Sequence, residues 1–115
     1  MSKALIDRLF EKVDGQDWEG LREVFDPEAS YERPGYSAFE GIDRLLHFYS
    51  EERVIACGRH QLSAVVVDGD QGACWGRFVG THRNGTEIDE SFADFYTFRD
   101  GRILTRRSFF FRPAV

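Results

Sequence analysis

The sequence predicts an α+β domain in which a curved antiparallel sheet and a few helices enclose a pocket for a small, mostly apolar molecule. Two observations carry this prediction. Apolar residues recur at every third or fourth position up to about residue 54, whereas they alternate with other residues after Gly58. The alternating segments are separated by short turns rich in Gly, Asp and Asn, which is typical of antiparallel hairpins. Helices gathered before a run of such strands define an α+β domain.

Three helices are predicted, over residues 2–14, 17–25 and 41–54. The first has an apolar stripe, with Ser2 as a candidate N-cap and Gly15 directly after its end. The second ends at Asp26-Pro27, because the residue before a proline avoids helical backbone. The third carries an inward-facing stripe made of Ile42, Leu45, Leu46, Phe48 and Tyr49.

Five strands are predicted, over residues 29–33, 60–67, 73–81, 90–98 and 102–111. The first is short and is closed by Pro34-Gly35. The segments DGDQG and HRNG form the turns before and after the third strand. A tight turn at Arg99-Asp100-Gly101 joins the last two strands.

Length and composition limit the functional classes. The 115 residues suit one domain, spanning residues 1–115. The net charge of −5 argues against a nucleic-acid partner, since phosphate binding needs clustered positive charge. No apolar run reaches the ~20 residues needed to span a membrane, and the opening MSKALIDRLFEK is typical of an amphipathic helix, so a cytoplasmic protein is expected. The two cysteines form no disulfide framework and no metal motif, and neither a metal nor another cofactor is expected.

Asp94 is the strongest candidate for catalysis. Its strand places it on one face with three aromatic residues, which are Phe92, Tyr96 and Phe98. An alternating apolar face is usually buried, and a buried carboxylate is costly unless it is paired, hydrogen-bonded or protonated. Asp94 is therefore either a general acid or base that burial tends to keep protonated, or a structural aspartate paired with an arginine.

The arginine next to Asp94 depends on the length of the last turn. A three-residue turn at residues 99–101 places Arg106 opposite Asp94, whereas a two-residue turn at Asp100-Gly101 places Arg107 there. A slip of one residue exchanges the two faces of a strand, so the sequence leaves both arrangements open.

Other residues are candidates for substrate binding. Trp75 and Arg77 share a strand face, where the arginine either binds an anionic or carbonyl group or covers the sheet surface. Tyr31 and Arg33 share a face of the first strand, and Tyr49 lies near the end of the third helix. A buried tyrosine hydroxyl needs a partner and can donate to a substrate oxygen. The three histidines are scattered and have no metal-site spacing.

Four segments of the chain carry a resemblance to a known family: GQDWEGLREVFDPEASYERPG, GIDRLLHFY, GTHRNG and FADFYTFRDGRI. Their order and spacing resemble the nuclear transport factor 2-like superfamily, and within it the SnoaL-like polyketide cyclases and ketosteroid isomerases. The resemblance covers nearly the whole chain. It implies a cone formed by a strongly curved sheet around a long helix, with an apolar cavity, and a homodimer built through the outer sheet face.

The resemblance also implies roles for individual residues. Asp94 matches the aspartic acid that donates to the substrate oxygen in the isomerases, a carboxylic acid held neutral by its apolar site. The SnoaL-like cyclases carry an acid/base aspartate at the same place. Tyr49 matches a supporting tyrosine of the isomerases.

Three positions depart from the related patterns. Arg33 stands where the isomerases have their base, before Pro34, and Leu9 stands where they have the oxyanion tyrosine. Ser108 stands about where limonene-epoxide-hydrolase-like proteins have an aspartate. Steroid isomerisation in its usual form is therefore not expected.

The sequence therefore predicts an enzyme that uses acid/base catalysis on an apolar carbonyl or polyketide-like substrate, for a cyclisation, isomerisation or dehydration. Asp94 is the predicted catalytic residue, and the predicted substrate-binding residues are Tyr31, Arg33, Tyr49, Trp75, Arg77, Tyr96, Arg106 and Ser108. An arginine-rich lining would suit an enolate, a carboxylate or a polyphenol-like ligand. The alternatives are a ligand-binding protein with Asp94 locked in a salt bridge, and a dimeric interaction module on the same fold.

Overall fold

The computed structural model describes residues 2–112 and consists of a six-stranded curved sheet with helices packed against it. The helical elements are α1 (Ser2–Asp14), a 3₁₀ helix (Glu19–Glu23), and α2 (Ile42–His47), which continues into a π-helical turn (Phe48–Glu52). The strands are β1 (Phe25–Glu32), β2 (Phe39–Glu40), β3 (Ile55–Asp68), β4 (Gln71–His82), β5 (Glu87–Arg99) and β6 (Arg102–Phe110). Within residues 2–112, no helix combines the length and the apolar character needed to cross a membrane.

The sheet has the strand order β2-β1-β6-β5-β4-β3. Strands β3 to β6 are antiparallel neighbours joined by short turns, which confirms the predicted antiparallel hairpins. Strand β1 then pairs in parallel with β6, with Tyr31 beside Arg106. This parallel pairing brings two candidate site residues, Tyr31 in β1 and Arg33 just after its end, next to the last strand of the described chain.

The predicted apolar stripes of the first and third helices are buried. In α1 the stripe consists of Leu5, Ile6, Leu9, Phe10 and Val13. In α2 and the turn after it, the stripe consists of Ile42, Leu45, Leu46, Phe48 and Tyr49. Both stripes face the concave side of the sheet and form one core with it.

The predicted second helix is largely wrong. Only Glu19–Glu23 is helical, as a 3₁₀ turn, and Phe25 already begins β1. The residue before a proline favours extended backbone, which suits Asp26 within a strand. Pro27 lacks an N–H and falls where the pairing between β1 and β6 is irregular, between Phe25 and Ser30.

The predicted third helix ends in a wider turn than expected. The backbone N–H of Arg53 bonds to the carbonyl of Phe48, five residues earlier, at 2.8 Å. A π-helical turn of this kind is rare and is frequently found at functional sites. Here it ends the helix so that Arg53 is buried, with 7% of its surface exposed.

The last hairpin differs from both arrangements considered for it. Asp100 and Gly101, with φ of 51° and 76°, form a two-residue turn between β5 and β6. A register shift next to Phe98 then inserts one extra residue into β6. As a result neither Arg106 nor Arg107 lies directly opposite Asp94.

Candidate active site

Asp94 is fully buried at the centre of a hydrogen-bond network. Ser108 lies directly opposite it on β6 and donates its hydroxyl to Oδ1 at 2.5 Å. Arg106 donates to Oδ2 through Nε at 3.1 Å and through Nη2 at 2.9 Å, and the Tyr96 hydroxyl donates to the same oxygen at 3.0 Å. Each of these groups donates a hydrogen bond to the carboxyl group, so this arrangement suits an ionised carboxylate.

A chain of donors reaches Asp94 from the first strand. Arg33 Nη1 donates to the Tyr31 hydroxyl at 3.3 Å, and the hydroxyls of Tyr31 and Ser108 lie 2.9 Å apart. Ser108 has a single hydroxyl proton, which it donates to Asp94, so Tyr31 must be the donor to Ser108. The parallel pairing of β1 with β6 makes this chain possible.

Arg106 links the network to the helical side of the core. Its Nη1 donates to the Tyr49 hydroxyl at 2.6 Å, and its guanidinium carbon lies 4.5 Å from the centre of the Tyr31 ring. Burial lowers the pKa of Arg106, but the Asp94 carboxylate and the neighbouring tyrosines raise it further, so the net pKa lies well above its ordinary value. Arg106 is therefore a permanent buried cation.

The two stacked tyrosines differ in acidity. The rings of Tyr31 and Tyr49 are almost parallel, with centroids 6.3 Å apart. Burial raises the pKa of Tyr31, but the guanidinium groups of Arg106 and Arg33 together lower it more, and the net shift is downward. Burial dominates at Tyr49 and raises its pKa, so its hydroxyl keeps its proton. That proton has no acceptor among residues 2–112, since Tyr49 only accepts a bond from Arg106.

These side chains surround an interior cavity of about 20 Å³. Six of the predicted site residues line it, which are Tyr31, Arg33, Tyr49, Asp94, Arg106 and Ser108. The remaining lining is mostly apolar: Val13, Ile55, Phe78, Phe92 and Phe110. The cavity lies where the sequence predicts a pocket, but this volume holds about one water molecule, whereas ligand pockets usually have roughly 300–1,000 Å³.

Two predicted binding residues lie on the outer face of the sheet, away from the cavity. On β4 the side chains of Cys74 and Phe78 point inward, so the alternate residues Trp75 and Arg77 point to the outer face of the sheet. Trp75 is 46% exposed, and Arg77 forms an ion pair with the exposed Asp89. The expectation that Trp75 and Arg77 line the pocket is wrong, because alternation along a strand assigns residues to faces but does not say which face the helices cover.

The geometry also shows where Tyr96 lies and which of the two β6 arginines, Arg106 or Arg107, points inward. Tyr96 supports Asp94 from the side without lining the cavity. Arg106 points inward and is 4% exposed, whereas Arg107 points outward, with Glu32 as its ion-pair partner at 3.8 Å. The extra residue in β6 produces this result despite the two-residue turn, since it reverses the alternation before Arg106.

Sequence reasoning missed Arg53, which also lines the cavity. Its guanidinium lies within 5.9 Å of the ring centres of Trp18, Tyr49 and Phe78. Its Nε is buried without a hydrogen-bond partner, and among residues 2–112 no carboxylate forms an ion pair with it. Burial lowers the pKa of Arg53, as expected for a cation held among aromatic rings.

Sequence reasoning also missed a histidine–aspartate pair. His60, at the concave face of β3, lines the cavity, and its Nδ1 lies 2.6 Å from Oδ1 of Asp14 at the end of α1. The two residues are 46 positions apart, and only the packing of α1 against β3 brings them together. Burial lowers the pKa of His60, against the raising effect of Asp14.

A curved sheet packed on helices, with a polar network buried in an otherwise apolar core, defines a class of small α+β folds. Within this class the chain belongs to the SnoaL-like domain family, whose model matches residues 6–105. A search of curated protein sequences found no match.

Solved structures share the fold over nearly the whole chain. A candidate SnoaL-like polyketide cyclase from Jannaschia sp. CCS1 superposes with a TM-score of 0.84 and 20% identity, covering 96% of this chain and 85% of that one. IdmH, a candidate polyketide cyclase from Streptomyces antibioticus, gives 0.81 and 21%, covering 96% and 92%. An LEH-like epoxide hydrolase from M. tuberculosis gives 0.80 and 14%, covering 93% and 80%. At these identities the likeness establishes the fold alone.

Proposed function

We propose that this protein is an enzyme that stabilises the enolate of a small apolar carbonyl compound and so catalyses a cyclisation, isomerisation or dehydration. The observation that carries the proposal is the buried positive charge of Arg53. Arg53 and Arg106 line the cavity beside Asp94, and among residues 2–112 Asp94 forms an ion pair with Arg106, whereas no carboxylate forms one with Arg53. An anion in the cavity would offset this charge in a site of low dielectric constant, where electrostatic stabilisation is strong.

Two donors are available for the oxygen of such a substrate. The Nε–H group of Arg53 is buried without an acceptor, and the hydroxyl proton of Tyr49 has none among residues 2–112. Arg53 lies 5.6 Å from the centre of the Tyr49 ring, so both donors belong to one side of the cavity. Donors that are already fixed in place cost no reorganisation when charge develops on the substrate oxygen.

In the proposed reaction Asp94 holds the hydrogen-bond donors in place. Oδ2 already accepts three hydrogen bonds, and Oδ1 accepts the short bond from Ser108. A carboxylate so fully occupied is poorly placed to take a proton from carbon, but it fixes the positions of Arg106 and Ser108. Through them it also fixes the hydroxyls of Tyr49 and Tyr31.

The walls of the cavity suit an apolar carbon skeleton. Phe78, Phe92 and Phe110 line it together with Val13 and Ile55. A molecule larger than water enters only when some of these side chains move, because the free volume is about 20 Å³. The proposal therefore includes a more open state of the cavity when substrate is bound.

A ligand-binding protein without turnover is the second candidate. The observation that favours it is the salt bridge between Asp94 and Arg106, with Nη2 2.9 Å from Oδ2 and both side chains buried. A binding protein would use the same arginines to hold a stable apolar anion.

Two matched probes test the proposal and separate the two candidates. 2-Tetralone has acidic α-protons, and 2-naphthol is the stable aromatic counterpart of its enol. We expect the wild-type protein to accelerate exchange of the α-protons of 2-tetralone in D₂O, followed by NMR, and to bind 2-naphthol. Arg53→Met should reduce both by at least about 10-fold, since a charged hydrogen bond is lost. Arg59→Met, at an exposed arginine of β3, is the matched control and should change neither.

Binding of 2-naphthol without exchange of 2-tetralone or related ketones would favour the binding protein. Neither binding nor exchange, or equal behaviour of the wild type and Arg53→Met, would contradict the proposed function.

We also propose that the protein forms a homodimer through the outer face of the sheet. Large apolar side chains are exposed there, including Val66, Trp75, Val79, Phe95 and Phe109. Such a concentration of exposed apolar surface commonly marks an interaction site. Sedimentation analysis should give a dimer that Phe95→Lys dissociates, and a wild-type monomer at every concentration would contradict this.

A further inference from the structure

We propose that His60 is the catalytic base that removes a proton from carbon in the substrate, and that Asp14 is the residue that orients it. This inference rests on the proposed function, because it names the proton acceptor for the same cavity. It assigns the acid/base role to His60 on β3, oriented by Asp14 on α1, in place of Asp94 on β5.

Asp14 holds His60 at two points. Its Oδ2 accepts the backbone N–H of His60 at 2.9 Å, and its Oδ1 lies 2.6 Å from Nδ1 of the ring. The carboxylate can only accept, so Nδ1 carries the hydrogen, and the neutral ring therefore has its free lone pair on Nε2. The side chains of His60 and Asp14 are 10% and 20% exposed, so the pair is largely shielded from water.

Aromatic rings surround the imidazole. The ring centres of Phe10, Phe78 and Phe92 lie 4.5, 4.7 and 5.3 Å from that of His60. These rings come from α1, β4 and β5, so three different elements each pack an aromatic ring against His60. Burial lowers the pKa of His60, which keeps the ring neutral, and able to accept a proton, at neutral pH.

The charged groups that face His60 support the same assignment. They are Asp14 from α1, Arg106 from β6 and Asp94 from β5. Arg106 disfavours a protonated ring in the empty cavity, whereas Asp14 and Asp94 favour it. When the proton moves to His60, the enolate beside Arg53 and Arg106 forms at the same time, so the two new charges offset one another.

Nε2 is the ring nitrogen left for chemistry. It has no hydrogen-bond partner within residues 2–112, and the ring lines the same cavity as Arg53 and Tyr49. The cavity therefore holds an unoccupied proton acceptor and two unoccupied proton donors. This combination is what enolate formation requires, since one group must take a proton while another stabilises the oxygen.

The step is a proton transfer with no other reactant. The lone pair of His60 Nε2 takes the α-proton, and the electrons of the C–H bond form the C=C bond of the enolate. The electrons of the carbonyl double bond move to oxygen, which Arg53 and Tyr49 stabilise. The imidazolium is stabilised by Asp14. For exchange in D₂O it trades its Nε2 proton for a deuteron of the solvent and returns that deuteron to the same carbon. For isomerisation it passes the proton to another carbon.

A purely structural role for this pair predicts something different. Asp14 and His60 would then only fix the end of α1 to β3, and their loss would lower stability without changing the pH dependence of activity. The decisive readout is therefore the pH profile of kcat/KM for exchange of 2-tetralone in D₂O, measured beside the binding of 2-naphthol.

We expect kcat/KM of the wild type to fall on the acid side as His60 becomes protonated, below the ordinary histidine value of about 6.5. His60→Gln should lower exchange by at least about 100-fold and abolish that acid limb, while 2-naphthol still binds. Asp14→Asn keeps the imidazole and should reduce exchange by about 10-fold or more. His47→Gln removes an exposed histidine and should leave exchange unchanged.

If His60→Gln exchanges 2-tetralone at a rate within about 3-fold of the wild type and keeps the acid limb, the inference is overturned. The proposed function would still stand. Unchanged exchange in folded Asp14→Asn would overturn the orienting role of Asp14. If the wild type neither exchanges 2-tetralone nor binds 2-naphthol, the proposed function fails, and the assignment of His60 fails with it.

Discussion

The Ser108 hydroxyl lies 2.5 Å from Oδ1 of Asp94, directly across the β5–β6 hairpin. This contact exists because one extra residue in β6 shifts the register after a two-residue turn. The same shift sends Arg106 inward, where it binds the other oxygen of Asp94. One inserted residue thus decides the composition of the buried network.

Removing the charge of Asp94 should destabilise the protein. Asp94→Asn leaves the buried guanidinium of Arg106 without a carboxylate, which typically costs about 3–5 kcal/mol when one partner of a buried pair is lost. Urea unfolding of the purified variant measures this. Asp89→Asn, which removes the exposed partner of Arg77, is the matched control and should cost much less. Equal stability losses in the two variants would contradict the account of the network.

Removing the charge of Arg53 should have the opposite effect on stability. Arg53→Met places an apolar side chain of similar length among Trp18, Tyr49 and Phe78. Because the arginine has no ion-pair partner in the described chain, we expect a gain of about 1–3 kcal/mol in the free energy of unfolding. Calorimetry of the two proteins at the same pH checks this. A clear loss of stability would mean that Arg53 is a structural residue.

His60 should make stability fall as the pH drops below the ordinary histidine pKa of about 6.5. Its pKa is lower in the folded chain than in the unfolded chain, so the unfolded chain takes up the proton first as the pH falls. The stabilisation is complete above the unfolded value of about 6.5 and is lost progressively as the pH falls from there toward the folded pKa. His60→Gln should remove this component. Parallel losses in the wild type and His60→Gln over this range would contradict it.

The two cysteines should differ strongly in reactivity. Burial raises the pKa of the Cys74 thiol to about 11, whereas Cys57 is exposed on β3. At pH 8 only about one part in a thousand of Cys74 is thiolate, and the side chain is fully buried. Iodoacetamide should therefore label Cys74→Ser at least about 100-fold faster than Cys57→Ser. Similar rates would show that the interior near Asp94 opens readily.

The fold could be predicted from local patterns. The stripe in α1 and the alternation of Phe92, Asp94 and Tyr96 depend only on residues near one another in sequence, and both are confirmed. The prediction of the second helix is wrong because the segment with helical spacing is short. Over five residues the pattern cannot separate a 3₁₀ turn from an α-helix.

The site could be predicted only in part. Tyr31, Arg33 and Asp94 follow from alternation along single strands. The inward position of Arg106 depends on one inserted residue, and the pairing of His60 with Asp14 depends on the packing of distant segments. Trp75 and Arg77 were placed inside because nothing in one strand says which of its faces the helices cover.

The central claim is that the arginine-lined cavity stabilises an enolate, and the ionisation state of bound 2-naphthol tests it most directly. The absorption spectrum is recorded with the protein at about one pH unit below the pKa of 2-naphthol in water. We predict that the wild type shows the spectrum of the naphtholate anion and that Arg53→Met does not. A bound naphthol that keeps its neutral spectrum in the wild type would contradict the account.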